Sequence, residues 1–271
     1  MRRRIERAVI FGLALCAAAC GNGMSMHVAD DKGVRLAELD KSGPAPTGLA
    51  LASQDKVVIS EGDALTIAVT GDPAAVEALR FNLDDGTLGI MRERGTDVRG
   101  RATISVTMPP AREIVLAGSG DIQAPSLVGK AEVAIAGSGD IAVARVAAND
   151  LRVSVMGSGT LTAIGTAENL EFNVAGSGDL AAPGLKVQRA EVNIAGSGGG
   201  AFASDGTVNA NIAGSGVVTV HGRAQCKTSK VGSGSLRCTA DAGGGSNAAP
   251  TASVNQAAPG TRAIPNVPPA G

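Results

Sequence analysis

Ala117-Gly118-Ser119-Gly120-Asp121-Ile122 returns as Ala136-Gly137-Ser138-Gly139-Asp140-Ile141, and this recurrence decides the fold. The central triplet appears five more times, as Gly157-Ser158-Gly159, Gly176-Ser177-Gly178, Gly196-Ser197-Gly198, Gly214-Ser215-Gly216 and Gly232-Ser233-Gly234. Successive copies lie 19, 20, 19, 20, 18 and 18 residues apart. A repeat of that length is one structural unit that cannot bury its apolar side alone, so the copies must stack.

Aligned on the first glycine of each triplet, the flanking residues alternate with a period of two. Four residues before it stand Ile114, Val133, Val153, Phe172, Val192, Ala210 and Thr228; two before it stand Leu116, Ile135, Val155, Val174, Ile194, Ile212 and Lys230. These columns point to one side, the inside. The column between them, Val115, Ala134, Ser154, Asn173, Asn193, Asn211 and Ser229, points outward. Beyond the triplet, Ile122, Ile141, Leu161, Leu180, Gly200, Val218 and Leu236 resume the inner face. Each repeat reads as strand, Gly-Ser-Gly corner, strand and variable return. The expected fold is all-β, a single-stranded parallel β-helix of about seven coils, with equivalent strands about 4.8 Å apart. Glycine at the corner admits positive φ and close backbone approach. Antiparallel hairpins in a sandwich would also use glycine turns, but a sandwich does not require near-constant spacing.

Upstream, Lys56–Ser60, Ala64–Val69, Arg80–Asp84, Thr87–Met91 and Ala102–Thr107 read as strands, with Asp85-Gly86 as a hairpin turn and Pro73–Leu79 as a short helical turn. The chain has 38 Gly, 12 Pro, four Phe and no Trp or Tyr, yet is 44% hydrophobic. Its core must therefore be built from Val, Ile, Leu and Ala, which suits a thin repetitive interior.

At the start, Arg2, Arg3, Arg4 and Arg7 precede an apolar run, Ala8–Leu15, and the small residues Ala17, Ala18 and Ala19, directly before Cys20. Residues 1–19 read as an export signal, too short to span a membrane. They resemble a bacterial lipoprotein signal, which implies lipidation of Cys20 and a membrane anchor; an ordinary secretory signal is the alternative. Gly21 and Asn22 lack the Asp that retains such proteins at an inner membrane, so outer-membrane sorting is expected. Removing residues 1–19 takes four Arg and one Glu from 24 basic and 25 acidic residues, leaving 20 and 24. Nucleic acid is therefore not an expected partner. Residues 20–45 read as a flexible tether, 46–240 as the solenoid, and 241–271, rich in Ala, Pro, Gly and Asn, as a tail unable to bury a core.

The phrase Ala-Gly-Ser-Gly-Asp-Ile, with Ala175–Leu180 as a variant, resembles the head GIN domain family of auto-transporter adhesins. The lead-in from Gly48 through Val106-Thr-Met-Pro109 is also similar, so the resemblance covers residues 45–240. It implies a right-handed β-helix-like solenoid on exported bacterial proteins, with no defined activity. The later triplets are followed by Gly199, Val217 and Ser235, which departs from the motif.

The repeated serines invite comparison with a hydrolase elbow, but that needs Gly-x-Ser-x-Gly and a histidine partner, and the chain holds only His27 and His221. A stacked ladder of corner hydroxyls is the structural alternative. Asp121, Asp140 and Asp179 suggest either calcium or Asx-type capping of backbone N–H groups; one carboxylate per coil is a thin supply for an ion that takes six to eight oxygens. No metal or cofactor is expected. Glu113, Glu132, Arg152, Glu171, Glu191, Asn209 and Lys227 form an outward stripe, either a solvated face or a docking surface for a cationic partner. Cys226 and Cys238 lie six residues either side of Gly232 in inward columns and are expected to form a disulfide across the last coil, two separate buried thiols being the alternative.

The functional expectation is a non-enzymatic, lipid-anchored cell-envelope scaffold for structure, adhesion or binding, with an envelope protein or surface glycan as partner. A polysaccharide-acting enzyme, which the lack of aromatic platforms disfavours, and an envelope assembly or stress accessory are the alternatives.

Overall fold

The computed structural model describes residues 33–95 and 98–239. The export signal, Cys20 and the tail lie outside the described residues. The expected tether does not extend to residue 45: Val34 exchanges two 2.8 Å backbone hydrogen bonds with Phe81, Leu36–Glu38 forms a 3₁₀ turn, and Leu39 is buried against the core.

All strands belong to one 16-stranded sheet wound on itself. The chain enters through β1 (Gly48–Ala52) and β2 (Lys56–Glu61), then β3 (Thr66–Gly71) and a short helix α1 (Pro73–Ala78), capped by the Asp72 carboxylate accepting from the Ala75 N–H. A hairpin follows, β4 (Leu79–Asp84) and β5 (Thr87–Arg92), turning at Asp85 and Gly86, both with positive φ. After β6 (Ala102–Met108) come β7 (Ala111–Gly118) and β8 (Asp121–Ala124), and the repeats proper: β9 (Leu127–Gly137), β10 (Asp140–Gly157), β11 (Thr160–Gly176), β12 (Asp179–Gly196) and β13 (Gly199–Gly214). β14 (Val217–His221) and β15 (Gln225–Val231) make the next rung, and β16 (Ser235–Thr239) begins one more, stacked on β14.

Repeat follows repeat in parallel register: Val153 sits between Val133 and Phe172, and Gly157 between Gly137 and Gly176. One feature differs from the expected strand, corner, strand and return. In the central coils the return is itself strand, so β10, β11, β12 and β13 each run almost a full coil and break only at Gly-Ser-Gly. The varying spacing is absorbed as bulges within these strands, between Val143 and Val146 and between Thr162 and Gly165, rather than in loops.

Why the corner must be glycine follows from the stack. The Gly118 carbonyl accepts the Ser138 N–H at 2.9 Å, and the same bond recurs from Ser158 to Gly137, Ser177 to Gly157, Ser197 to Gly176 and Ser215 to Gly196. Each of those carbonyls points at the first glycine of the next coil, where φ runs from 121° to 137°, and a Cβ there would collide with it. The ladder is made of backbone; the corner serine side chains are exposed and form no side-chain hydrogen bond among the described residues.

Two rungs before the repeats carry no such triplet. β1 pairs with β7, Leu49 beside Ile114 and Leu51 beside Leu116, and β2 pairs with β8, Val57 beside Ile122. Ser53-Gln54-Asp55 thus takes the place of the corner. β5 and β6 form a further parallel rung beneath. β3 and β4 close that end by pairing antiparallel with β6 and β5.

Inside, the two inward columns and the column after the corner form one continuous core, in which Phe81, Phe172 and Phe202 are the bulkiest members. Two columns differ in burial from what direction alone implies. Val115 and Ala134 point outward as expected yet are buried: they stack in register with Ala50 as a small cluster separate from the core. At the opposite end, Thr228 and Lys230 occupy inward columns yet are exposed, because among the described residues no further strand pairs with β15 beyond them.

Candidate functional site

Alternation places residues five and seven before each triplet on the outside, with the buried column six before it between them. Along the middle coils this makes a groove of about 680 Å³. Ala131, Leu151, Leu170 and Ala190 form its floor; Lys130, Asp150, Asn169, Arg189 and Thr207 line one wall; Glu132, Arg152, Glu171, Glu191 and Asn209 line the other. The rungs are in parallel register, so each wall offers a polar group at every coil, about 4.8 Å apart.

The walls are cross-linked from coil to coil. On the first, the Asn169 amide donates to Asp150 at 2.7 Å, and Arg189 Nε donates to Asn169 at 2.8 Å. On the second, Arg152 Nε donates to Glu171 at 3.0 Å, and the Asn173 amide donates to the other Glu171 oxygen at 3.0 Å. The outer column beyond continues as an asparagine ladder: Asn193 donates to Asn173 at 3.0 Å and Asn211 to Asn193 at 2.9 Å. These bonds hold long side chains in place, so the groove presents ordered hydroxyl-, amide- and charge-bearing walls.

The carboxyls of the two acidic neighbours of Arg152 are shifted in opposite directions. Burial pushes the Glu132 carboxyl above the usual range, reinforced by the charges of Glu113 and Glu171 and only partly offset by Arg152. Burial acts the same way on Glu171, but the hydrogen bonds from Asn173 and Arg152, with the arginine charge, outweigh it and lower that carboxyl. Arg152 thus separates like charges along the stripe.

Of the carboxylates after the triplets, Asp121 and Asp140 are register neighbours on adjacent rungs, while Thr160 stands between Asp140 and Asp179. Asp121 faces Arg101 at 3.3 Å, and Asp140 accepts from the Thr160 N–H of the next coil at 3.1 Å, which ties neighbouring rungs rather than closing an Asx turn within its own corner. Among the described residues no three His, Cys, Asp or Glu side chains gather in a metal-holding group. A smaller groove of about 310 Å³, between Lys56, Asp121, Gln123, Asp140 and Thr162, runs past the first two of these carboxylates.

Cys226 and Cys238 are joined by a disulfide with Cα atoms 6.7 Å apart. Neither is fully indoors as the columns imply: Cys226 is half-buried and Cys238 exposed, since among the described residues no strand stacks beyond β15 and β16.

Sequence reasoning missed the polar knot that stands in for the first corner. Asp55, fully buried, accepts from Arg92 at 2.6 and 2.8 Å, from Ser53 Oγ at 2.8 Å and from the Ala102 N–H at 2.7 Å. Arg92 also donates to the Val98 and Gly100 carbonyls, each at 2.6 Å. Burial alone would raise the Asp55 carboxyl; Arg92, the Ala102 N–H and Ser53 outweigh it and hold it below the usual range. The signal was present as Leu49 and Leu51 before, and Val57 after, a corner without glycine.

Compared with known proteins, residues 45–224 match the family model described as "Putative auto-transporter adhesin, head GIN domain". A crystal structure titled as a putative adhesin from Bacteroides fragilis matches with a TM-score of 0.67 at 20% identity, over 72% of this chain and 93% of that one. Two structures from Parabacteroides distasonis each match with a TM-score of 0.56 over the same shares: one titled a putative lipid binding protein, at 25% identity, and one titled a putative adhesin, at 18%. No curated protein matches the chain.

Proposed function

The chain belongs to the head GIN domain family, and from that premise we propose that it is a non-enzymatic binding scaffold of the bacterial cell envelope. It is exported, lipid-anchored through Cys20 at the outer membrane, and its solenoid holds the ladder-walled groove open to an extended surface glycan. The observation that carries this reading is the groove of about 680 Å³ whose two walls carry a polar side chain at every coil, tied across coils at Asp150, Asn169, Arg189, Arg152 and Glu171. A linear polymer presents hydroxyls at a regular interval, and matching them to a regular ladder multiplies weak contacts along one molecule. The groove holds no aromatic platform, so recognition rests on hydrogen bonds and charge, with low affinity per unit.

The test is binding of the full-length protein to polysaccharide extracted from the envelope of its own cells. The joint change Arg152→Ala with Glu171→Ala removes wall groups that are partly exposed. It should weaken binding about tenfold, on the order of two lost hydrogen-bonding groups, with the thermal midpoint nearly unchanged. Unaltered binding removes the groove as the site.

A further inference from the structure

The last coil differs from every other in its charge. From Gly206 to Ala240 the sequence contains no Asp or Glu, while Arg223, Lys227, Lys230 and Arg237 all fall there. All four are exposed. Arg223 reaches back to Asp205 at 3.6 Å. Among the described residues no carboxylate pairs with Lys227, Lys230 or Arg237.

The same coil leaves its backbone unfinished. β15 pairs with β13 and β16 with β14 on one side, and among the described residues nothing pairs with the other side. Cys226 and Leu236 pack against the core but are only partly buried, so the core is incompletely covered here. The opposite end is closed, with Val34 bonded to the edge of β4 and α1 lying against β3.

We propose that this open cationic rung docks an extended acidic segment of another protein, which adds as a further strand along β15. The free edge supplies main-chain donors and acceptors, and side chains set the choice of strand. Lys227 and Lys230 are three apart on a strand and therefore project to opposite faces. An incoming strand meets both when its own carboxylates are three residues apart. Lys230, in an inward column, deters a neutral strand, as inward charge does on other sheet edges. Charge complementarity also sorts the other occupants. A second copy would bring an end with the same four cations. The chain's own continuation beyond Ala240 carries one carboxylate, Asp241, and five prolines that lack an N–H. An anionic bilayer would meet two exposed apolar side chains at this end, Val231 at 78% and Val217 at 41%.

The probe is a fluorescent decapeptide of Thr and Val with two Glu three residues apart, titrated into the full-length protein. Its counterparts carry Gln for Glu, or Pro at the centre. Phosphatidylglycerol vesicles are titrated separately, and the protein alone is sedimented. The Glu peptide is expected to bind at least about tenfold more tightly than either counterpart, and to slow amide exchange in residues 225–231. K227E/K230E should abolish that preference while the melting curve is retained; the milder K227Q/K230Q should reduce it. Equal binding of Glu and Gln peptides overturns the proposal, as does indifference to K227E/K230E, capture by vesicles but not by peptide, or self-association through this edge.

Discussion

Phe172 fills the space that Gly200 leaves. Gly200 stands in a column otherwise occupied by Ile122, Ile141, Leu161, Leu180, Val218 and Leu236, and a Cβ built on it would meet the Phe172 ring at 3.0 Å. Phe172 is itself completely buried. The interior is therefore packed across coils rather than column by column. Gly200→Leu should destabilise by about 1–3 kcal/mol through overpacking, and Phe172→Ala by about 3–5 kcal/mol through the cavity it leaves. The double variant should lose clearly less than the sum in denaturant unfolding. Additive losses would mean that the two sites do not share space.

Corner glycines should be intolerant in proportion to what lies beneath them. Gly176 has φ +127°, and a Cβ on it would strike the Gly157 carbonyl, whereas Gly43 has nothing within 4 Å and no positive φ. Gly176→Ala is expected to cost more than about 2 kcal/mol, and Gly43→Ala almost nothing, by thermal unfolding of the two purified variants. Similar losses at both would remove the stacking explanation of the repeat.

At the opposite end of the stack from the last coil, Asp55 makes stability depend on acidity. Its folded carboxyl lies below the usual range, while an unfolded Asp ionises near pH 4. The lowered value means that folding favours the ionised form. That contribution is complete above about pH 4 and disappears as pH falls through the folded value. Asp55→Asn should lose about 3 kcal/mol at neutral pH, because Arg92 keeps its burial and loses its counter-charge. The gap to the unaltered protein should narrow as the pH is taken below about 4; a gap constant from pH 7 to pH 2 contradicts the ion pair.

The disulfide should act locally. Joining Cys226 to Cys238 across 12 residues stabilises by about 3 kcal/mol on chain-entropy grounds. In a solenoid each rung contacts only its neighbours. Replacing both cysteines with serine should therefore accelerate amide exchange in residues 225–239 and leave β10 and β11 protected. Uniform acceleration along the chain would show that the coils unfold as one unit.

The parts of this structure legible in sequence are those where one residue type is required at one place in every coil. Gly-Ser-Gly is such a place, because the carbonyl of one coil excludes a side chain in the next, and the alternation around it gave the inner and outer faces. β1 escaped notice because Gly48-Leu-Ala-Leu-Ala52 lacks β-branched residues and reads equally well as helix. It becomes a strand because β5 and β7 hold it from both sides. The Asp55–Arg92 pairing joins residues far apart in sequence; the alternation of Leu49, Leu51 and Val57 marks the corner at residues 53–55 but not its partner. The outer stripe from Glu113 to Lys227 was visible, but the second wall, from Lys130 to Thr207, was not singled out, so a groove could not be recognised from one side alone. The burial of Val115 and Ala134, which do point outward, is not legible because alternation gives direction and not burial; they cluster with Ala50.

The central claim is that the corners build the stack and the groove does the binding. The direct measurement is polysaccharide binding by two full-length variants: one with all seven corner serines replaced by alanine, the other with Arg152 and Glu171 both replaced by alanine. The corner hydroxyls are exposed and form no side-chain hydrogen bond among the described residues, so the serine-free protein should melt and bind like the unaltered one, while the groove variant should bind about tenfold more weakly. Loss of binding in the serine-free protein with retention in the groove variant would contradict the account.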